Sequence, residues 1–331
     1  MRSPLLRTTI TDLFGIDHPI LCGGLQWLAD ARYVAAVVRA GGMGFITCMS
    51  FPDDAEGFRR EVRLCRELTG ERPFGVSLAI SRRLGTNERL RPFLDVIVEE
   101  KVRFVETSGD SPEPILPRLK DAGCIVMHKV PAVRYARSVE RLPVDAIAVV
   151  SGEAGGHPGL YMVGQIVQGV LAADALRKPL ALAGGMATGR HLVTALAMGA
   201  GAMLMGSRMV VAEEIWAHRA YKEHVVGLDE AANRLVMKTF RNNHRVLDNA
   251  AARDVERLEA EGIADFAAYA PLVSGGEARE AYRTGDFSRG MIDMGPAGVF
   301  ARDIKPVEAI FDEILDEAAA TLSRLSSARL T

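Results

Sequence analysis

Residues 179–208 read PLALAGGMATGRHLVTALAMGAGAMLMGSR, and they hold the unit from which the chain is built. An apolar run, Pro179–Gly185, ends in two glycines. Ala187-Thr188-Gly189 opens a helical stretch at about 188–198. A second apolar run, Ala202–Ser207, follows at once. A short apolar run, a glycine turn, a helical stretch and another apolar run make the pattern of a βα unit on a parallel sheet. Leu192–Ser207 carries no charge over sixteen residues, but it is too short to span a bilayer and is broken by Gly199, Gly201 and Gly206.

Working outward, the same alternation fills the first two thirds of the chain. The other candidate strands are His18–Gly23, Gly44–Cys48, Phe74–Ile80, Arg103–Gly109, Cys124–Val130 and Ala146–Gly152. Helical patterns lie between them at about 30–40, 53–69, 87–100, 112–122, 132–141 and 162–176. Several open on helix-start signals, such as Pro52-Asp53-Asp54 and Ser111-Pro112-Glu113. Eight strands and seven helices precede residue 210, and an eighth helix is expected after Arg208. The count predicts an α/β fold of the (β/α)8 TIM barrel type. The alternative, an open doubly wound sheet, would be expected to carry a G-x-G-x-x-G after its first strand, and none is present.

After residue 215 the character changes. Glu213 to Asp265 reads as mostly helical, 271–300 is rich in Gly, and 305–325 is strongly amphipathic. The expected division is a barrel over 1–215, a mainly helical substrate-side subdomain or lid over 216–300, and a final helix, 305–328, packed back on the barrel.

Composition narrows the function. The chain has 331 residues, 48% apolar and 25% charged, with 40 basic against 42 acidic side chains. No basic excess points to nucleic acid, and no charge-driven partner is implied. Cys22, Cys48, Cys65 and Cys124 form no C-x-x-C pair, so reduced thiols are expected, with Cys22 and Cys124 as small core residues. The N-terminus meets Asp12 before any apolar segment develops, so no secretory signal is read and a cytoplasmic location is expected. No metal-ligand cluster is visible, and no metal is expected.

In a barrel the chemistry gathers at the C-terminal ends of the strands. Gly184-Gly185 and Met205-Gly206-Ser207 end the seventh and eighth, where exposed backbone N–H groups and following helix N-termini suit a phosphate. Tight turns alone would also explain the glycines. The first strand ends in Gly23-Gly24-Leu25, where something flat can approach the backbone. Lys129, one of seven lysines, ends the fifth strand. It either offers charge to an electron-rich ligand or pairs with a strand-end carboxylate such as Glu106. His128 beside it points the other way and reads as a packed histidine. The sixth strand runs into Ser151-Gly-Glu-Ala-Gly-Gly-His-Pro-Gly159, with four glycines in nine residues around His157. A histidine there can take or give a proton near neutrality. The other histidines, His244 included, read as surface or packing residues.

These residues carry a resemblance. Gly155-Gly156-His157-Pro158-Gly159, Ala183–Arg190 and Gly199–Arg208, in this order, resemble the nitronate monooxygenase / 2-nitropropane dioxygenase family, and the match runs from His18 to about 275–295. The resemblance implies FMN across the barrel mouth. Its phosphate would lie on Gly184, Gly185, Met205, Gly206 and Ser207, and its ring against Gly23, Gly24 and Leu25. Lys129 would stand near the N1–C2=O edge. Ser77, Ser151, Gly155 and Gly156 would complete the cofactor site, and His157 would be catalytic. The implied activity is oxidation of alkyl nitronates with O2 through the flavin. Gly24-Leu25-Gln26-Trp27 and His128-Lys129 resemble instead the related NAD(P)H:quinone reductases. A flavin-dependent enoyl-ACP reductase shares the Gly-Gly-His and Ala-Gly-Gly motifs and ranks lower. A non-flavin barrel, either a lyase or a binding protein, is the reading outside this class. The expected partners are a small-molecule substrate and O2, with no nucleic acid and no membrane, and a homodimer is anticipated.

Overall fold

The computed structural model describes residues 6–81 and 86–328. Eight parallel strands close into a barrel in sequence order. They are β1 (Ile20–Cys22), β2 (Met43–Thr47), β3 (Gly75–Ile80), β4 (Phe104–Gly109), β5 (Ile125–Val130), β6 (Ala146–Val150), β7 (Leu180–Ala183) and β8 (Ala202–Met205). Every candidate strand is therefore present, seven of them trimmed at the ends and the second shifted one residue earlier, to Met43–Thr47. A short helix, α1 (Thr9–Phe14), precedes the barrel. Then come α2 (Ala31–Arg39), α3 (Ala55–Thr69), α4 (Arg91–Glu99), α5 (Leu116–Asp121), α6 (Val133–Val139), α7 (Gln165–Ala175) and α8 (Gly189–Ala197), one after each of the first seven strands.

Strand alternation sorts the side chains into two cores. Inside the barrel, Met43, Phe45, Phe104 and Met127 oppose the small Ala146, Ala148, Ala181, Ala183 and Ala202. Helix α1 closes the N-terminal end. Its Phe14 ring sits 5.3 Å from Phe104 and 6.4 Å, edge-on, from Phe45. Outside the barrel, Val76, Val105, Val126 and Ile147 pack under the helical ring. The floor is thus filled by large side chains, and the open mouth is left at the opposite end.

The expected helix directly after Arg208 is absent. Turns occupy 206–217 instead. The helix that completes the outer ring is the last one, α13 (Val307–Ser327), which packs against α8 and α2. Its approach to α8 is so close that a Cβ on Gly189 would lie 2.2 Å from the Ile314 carbonyl oxygen. The whole segment 206–306 is therefore spliced between the eighth strand and its helix.

That segment holds α9 (Arg219–Val226), α10 (Ala250–Ala260), α11 (Phe266–Val273) and α12 (Gly275–Thr284). It also holds an antiparallel hairpin, β9 (Asn233–Val236) with β10 (His244–Leu247), which the helical reading of 213–265 did not foresee. Each strand has only four residues, too few for a period to show, and the long amphipathic runs on either side dominate the pattern. The hairpin, α10 and Tyr269 share a small core of their own around Val236, Val246 and Val255.

Candidate active site

A cavity of about 860 Å³ opens at the C-terminal mouth of the barrel. Its wall brings together Gly23, Gly24, Leu25, Lys129, Gly155, Gly156, His157, Gly184, Gly185, Met205, Gly206 and Ser207. Nearly every residue singled out in the sequence therefore meets at one place. Ser77 and Ser151 do not reach the wall. Ser151 is fully buried and gives its hydroxyl to Glu153. Ser77 gives its hydroxyl to Glu106 Oε1 at 2.8 Å.

Glu106 lies beneath the cavity wall, behind Gly24 and Lys129. Ser77 and Glu106 are register partners on β3 and β4, so both point inward. Glu106 Oε1 also accepts from Lys129 Nζ at 2.7 Å and from the Gly24 N–H at 3.4 Å. The carboxylate is wholly buried, and its other oxygen, Oε2, has no hydrogen-bond partner. Of the two things the sequence left open, Lys129 makes the ion pair with Glu106, and it also lines the cavity. His128 faces away, as strand alternation requires. Its Nδ1 lies 2.8 Å from Thr107 Oγ1, and burial followed by the charge of Lys129 pushes its pKa down to about 4.

The far wall is made by the turns after β7 and β8. Gly184 and Gly185 have φ of 91° and 73°, which side chains rarely adopt, and a Cβ on Gly184 would lie 2.5 Å from Ser151 Oγ. The N–H groups of Gly185, Gly206 and Ser207 make no backbone hydrogen bond among the described residues. The helix N-terminus that was expected to assist them is taken. Thr188 caps α8, and Glu317 of α13 accepts from the Gly189 and Arg190 N–H groups. An anion here would rest on the turn amides alone.

His157 is held by an element that sequence reasoning missed. The loop after β6 is zipped to β10 by two hydrogen bonds, Gly156 N–H to Arg245 O at 2.9 Å and the reverse at 2.7 Å. Arg245 also donates to Gly152 O at 3.0 Å. This places the His157 ring against His244, with centroids 4.2 Å apart and planes at 16°. His244 Nε2 lies 2.6 Å from Asp293 Oδ1, and Asn242 Nδ2 lies 3.4 Å from His157 Nε2. His157 is exposed on the cavity wall. Desolvation by the groups around it, then the charge of the neighbouring His244, pushes its pKa down to about 4, against the pull of Asp293. Burial works against ionisation of Asp293, yet the hydrogen bond and charge of His244 keep its carboxyl below the usual range. His244 and Asp293 lie far apart in sequence, at 244 and 293, and a backbone bridge between Val246 of β10 and Asp293 brings them together. The Asn242-Asn243 turn signal beside two short aliphatic runs was the cue available.

These features fit a flavin. The glycine turns form a cradle with free donors, and a buried acceptor and a cation face one another beside the cavity wall. The sequence also matches the family described as nitronate monooxygenase over residues 7–91 and 88–317. The chain belongs to the nitronate monooxygenase family. It is a flavin-dependent oxidoreductase. Among its relatives, the (3aS,4S,5R,7aS)-5-hydroxy-7a-methyl-1-oxo-octahydro-1H-indene-4-carboxyl-CoA dehydrogenase of Mycobacterium tuberculosis is 31% identical over 258 residues, 77% of this chain and 69% of that protein. The nitronate monooxygenase of Paraburkholderia phytofirmans is 25% identical over 348 residues, 92% of this chain and 93% of that one. The structure of FabK from Thermotoga maritima is 32% identical with a TM-score of 0.88, covering 97% of this chain and 99% of its own.

Among the described residues no group of His, Cys, Asp and Glu is placed to hold a metal, and no helix is long and apolar enough to cross a membrane. All four cysteines are free and buried.

Proposed function

We propose that this member of the family is an FMN-dependent nitronate monooxygenase. The observation that carries the reading is the placement of His157, an imidazole on the cavity wall stacked on His244, where its surroundings favour the neutral ring. A neutral ring can accept the α-proton of a nitroalkane, or donate its one N–H to a nitronate oxygen. It is poorly suited to give up a proton, as a reductase of quinones or enoyl thioesters would ask. The choice of FMN is supported by the turns at Gly184, Gly185, Met205, Gly206 and Ser207, where the Gly185, Gly206 and Ser207 N–H groups suit a terminal phosphate. Gly23, Gly24 and Leu25 would receive the ring, and Lys129 would meet the electron-rich N1–C2=O edge. When bound, the FMN supplies two-electron acceptance from the substrate and the return of electrons to O2. Gly155 and Gly156 keep the wall beside His157 thin. Asn242 and the His244 stack set the plane of the ring. Residues 216–300 serve as the substrate-side subdomain, and their hairpin is what holds the His157 loop.

A second reading, oxidoreduction with NAD(P)H through the same flavin, is favoured by one feature. The outer wall is lined by Ile80, Leu160, Met237, Phe240 and Phe266, more apolar surface than a short nitroalkane covers. A quinone or a bulky thioester would use it, and the Mycobacterium relative is named for a carboxyl-CoA substrate. Anaerobic mixing of the holoprotein with a nitronate, NADH and NADPH in turn separates the two. Bleaching of the flavin band by nitronate alone supports the first reading. Bleaching by a nicotinamide nucleotide, without aerobic nitronate turnover, replaces it with the second.

A further inference from the structure

Glu106 is buried where the fold alone gives no reason for a charge. Its carboxylate lies wholly buried on the same face of β4 as Phe104, inside the barrel. A buried ion pair is weak support for a fold, since well-packed apolar side chains of similar volume often do as well or better. The hydrogen bonding is also lopsided. Ser77 Oγ, Lys129 Nζ and the Gly24 N–H all donate to Oε1. Oε2 is buried with no hydrogen-bond partner among the described residues. A pair kept for stability alone would spread its donors over both oxygens, because a bare buried acceptor costs free energy.

The bare oxygen lies behind a thin part of the cavity wall. A Cβ on Gly23 would stand 3.5 Å from Glu106 Oε2 and 3.7 Å from Lys129 Nζ. A Cβ on Gly24 would stand 2.5 Å from Ser77 Cβ. Both glycines line the cavity, so neither puts a side chain between the carboxylate and whatever is bound there. Lys129 reaches the same wall from the adjacent strand, β5. A ligand laid flat on Gly23 and Gly24 therefore feels both charges across protein rather than water, where they are little screened.

We propose that Glu106 is a positioning residue that sets the electron affinity of the flavin through Lys129, a role that rests on FMN lying against Gly23 and Gly24 as proposed above. Lys129 alone would hold the negative charge that two electrons bring to the N1–C2=O edge, and would so retain the electrons. Glu106 offsets part of that charge and fixes the ammonium with a 2.7 Å bond. The bound flavin then takes electrons from a substrate and still returns them to O2.

Sulfite titration of the flavin-loaded protein, with FMN in excess, tests this without turnover. Sulfite adds its lone pair to flavin N5 and drives negative charge to the N1–C2=O edge, so its Kd, read from bleaching of the visible band, follows the charge nearby. Glu106→Gln is expected to bind sulfite roughly tenfold or more tighter than wild type, with a raised flavin reduction potential, and Lys129→Met to bind it more weakly by a similar factor. A merely structural role would not give opposite signs, because damage to the wall would weaken both. Unchanged or weaker sulfite binding in Glu106→Gln overturns the proposal. If Glu106→Gln takes up no flavin, Ser77→Ala decides. Without the Ser77 hydroxyl the carboxylate keeps more of its charge, so sulfite should bind severalfold more weakly while the flavin Kd stays the same. Unchanged or tighter sulfite binding there, or a flavin loosened in step, overturns the proposal. A wild type with no flavin band after incubation with FMN would remove the FMN reading itself, and this role with it.

Discussion

The His157 and His244 rings lie nearly parallel, 4.2 Å apart, and Asp293 holds the outer ring through a 2.6 Å contact to His244 Nε2. The three side chains come from three separate segments, so the His157 ring depends on parts of the chain remote from its own loop. The charged groups facing His157 are His244, whose positive form lowers its pKa, and Asp293, whose carboxylate raises it. Replacing each should move His157 in opposite directions. His244→Phe keeps an aromatic stack and removes the repulsion, so the pKa of His157 should rise from about 4. Asp293→Asn removes the attraction, so it should fall. NMR titration of His157 reads both shifts, and two shifts of the same sign would refute the electrostatic role of the pair.

His157→Asn should keep the flavin, because the cradle is made by backbone N–H groups of the glycine turns and not by the imidazole. Turnover of a nitroalkane should fall by roughly 10²–10⁴-fold, the usual contribution of a positioned acid–base group. Oxidation of a preformed nitronate should suffer much less, since no α-proton remains to be taken. Steady-state oxygen uptake with both substrates makes the comparison. Equal losses on the two would show that His157 only orients the substrate.

The barrel was legible in the sequence because each of its strands is a short apolar run closed by a turn, and eight of them recur at similar spacing. The cradle was legible too, since Gly184 and Gly185 mark backbone that only glycine adopts easily. What could not be read is long-range pairing. Glu317 takes the N-terminus of α8 from 128 positions away, and no local pattern announces that. Arg245 finds Gly156 across a hairpin whose strands are four residues each. His244 looked like a surface histidine because its partner is itself a loop residue. Lys129 was readable as either a ligand group or an ion pair, and in the structure it pairs with Glu106 while lining the cavity.

Acid should weaken the fold through His128. Burial pushes its pKa down to about 4, against 6.5 in an unstructured chain. Between those values the unfolded state binds more protons than the folded one, so stability rises with pH. The contribution is complete above about pH 6.5 and is lost as the pH falls toward 4, with a ceiling of about 3 kcal/mol at 1.36 kcal/mol per unit. His128→Gln should flatten that part of the profile. Urea unfolding at pH 7.5 and pH 5 compares the two proteins, and an unchanged pH dependence would remove His128 as its source.

Lys129 can be tested as a structural and a cofactor residue at once. Glu106 is wholly buried and, among the described residues, its one ion-pair partner is Lys129, so Lys129→Met leaves a buried charge without that partner. Breaking a buried pair on one side costs about 3–5 kcal/mol, whereas removing both charges is often close to neutral. Lys129→Met should therefore unfold at much lower urea than wild type, and Lys129→Met/Glu106→Gln should recover most of the loss. Flavin binding should behave differently. If Lys129 meets the electron-rich edge of the flavin, the double variant regains its stability but not its affinity. Recovery of both together would mean that Lys129 serves Glu106 alone, and that the flavin takes its charge from elsewhere on the cavity wall.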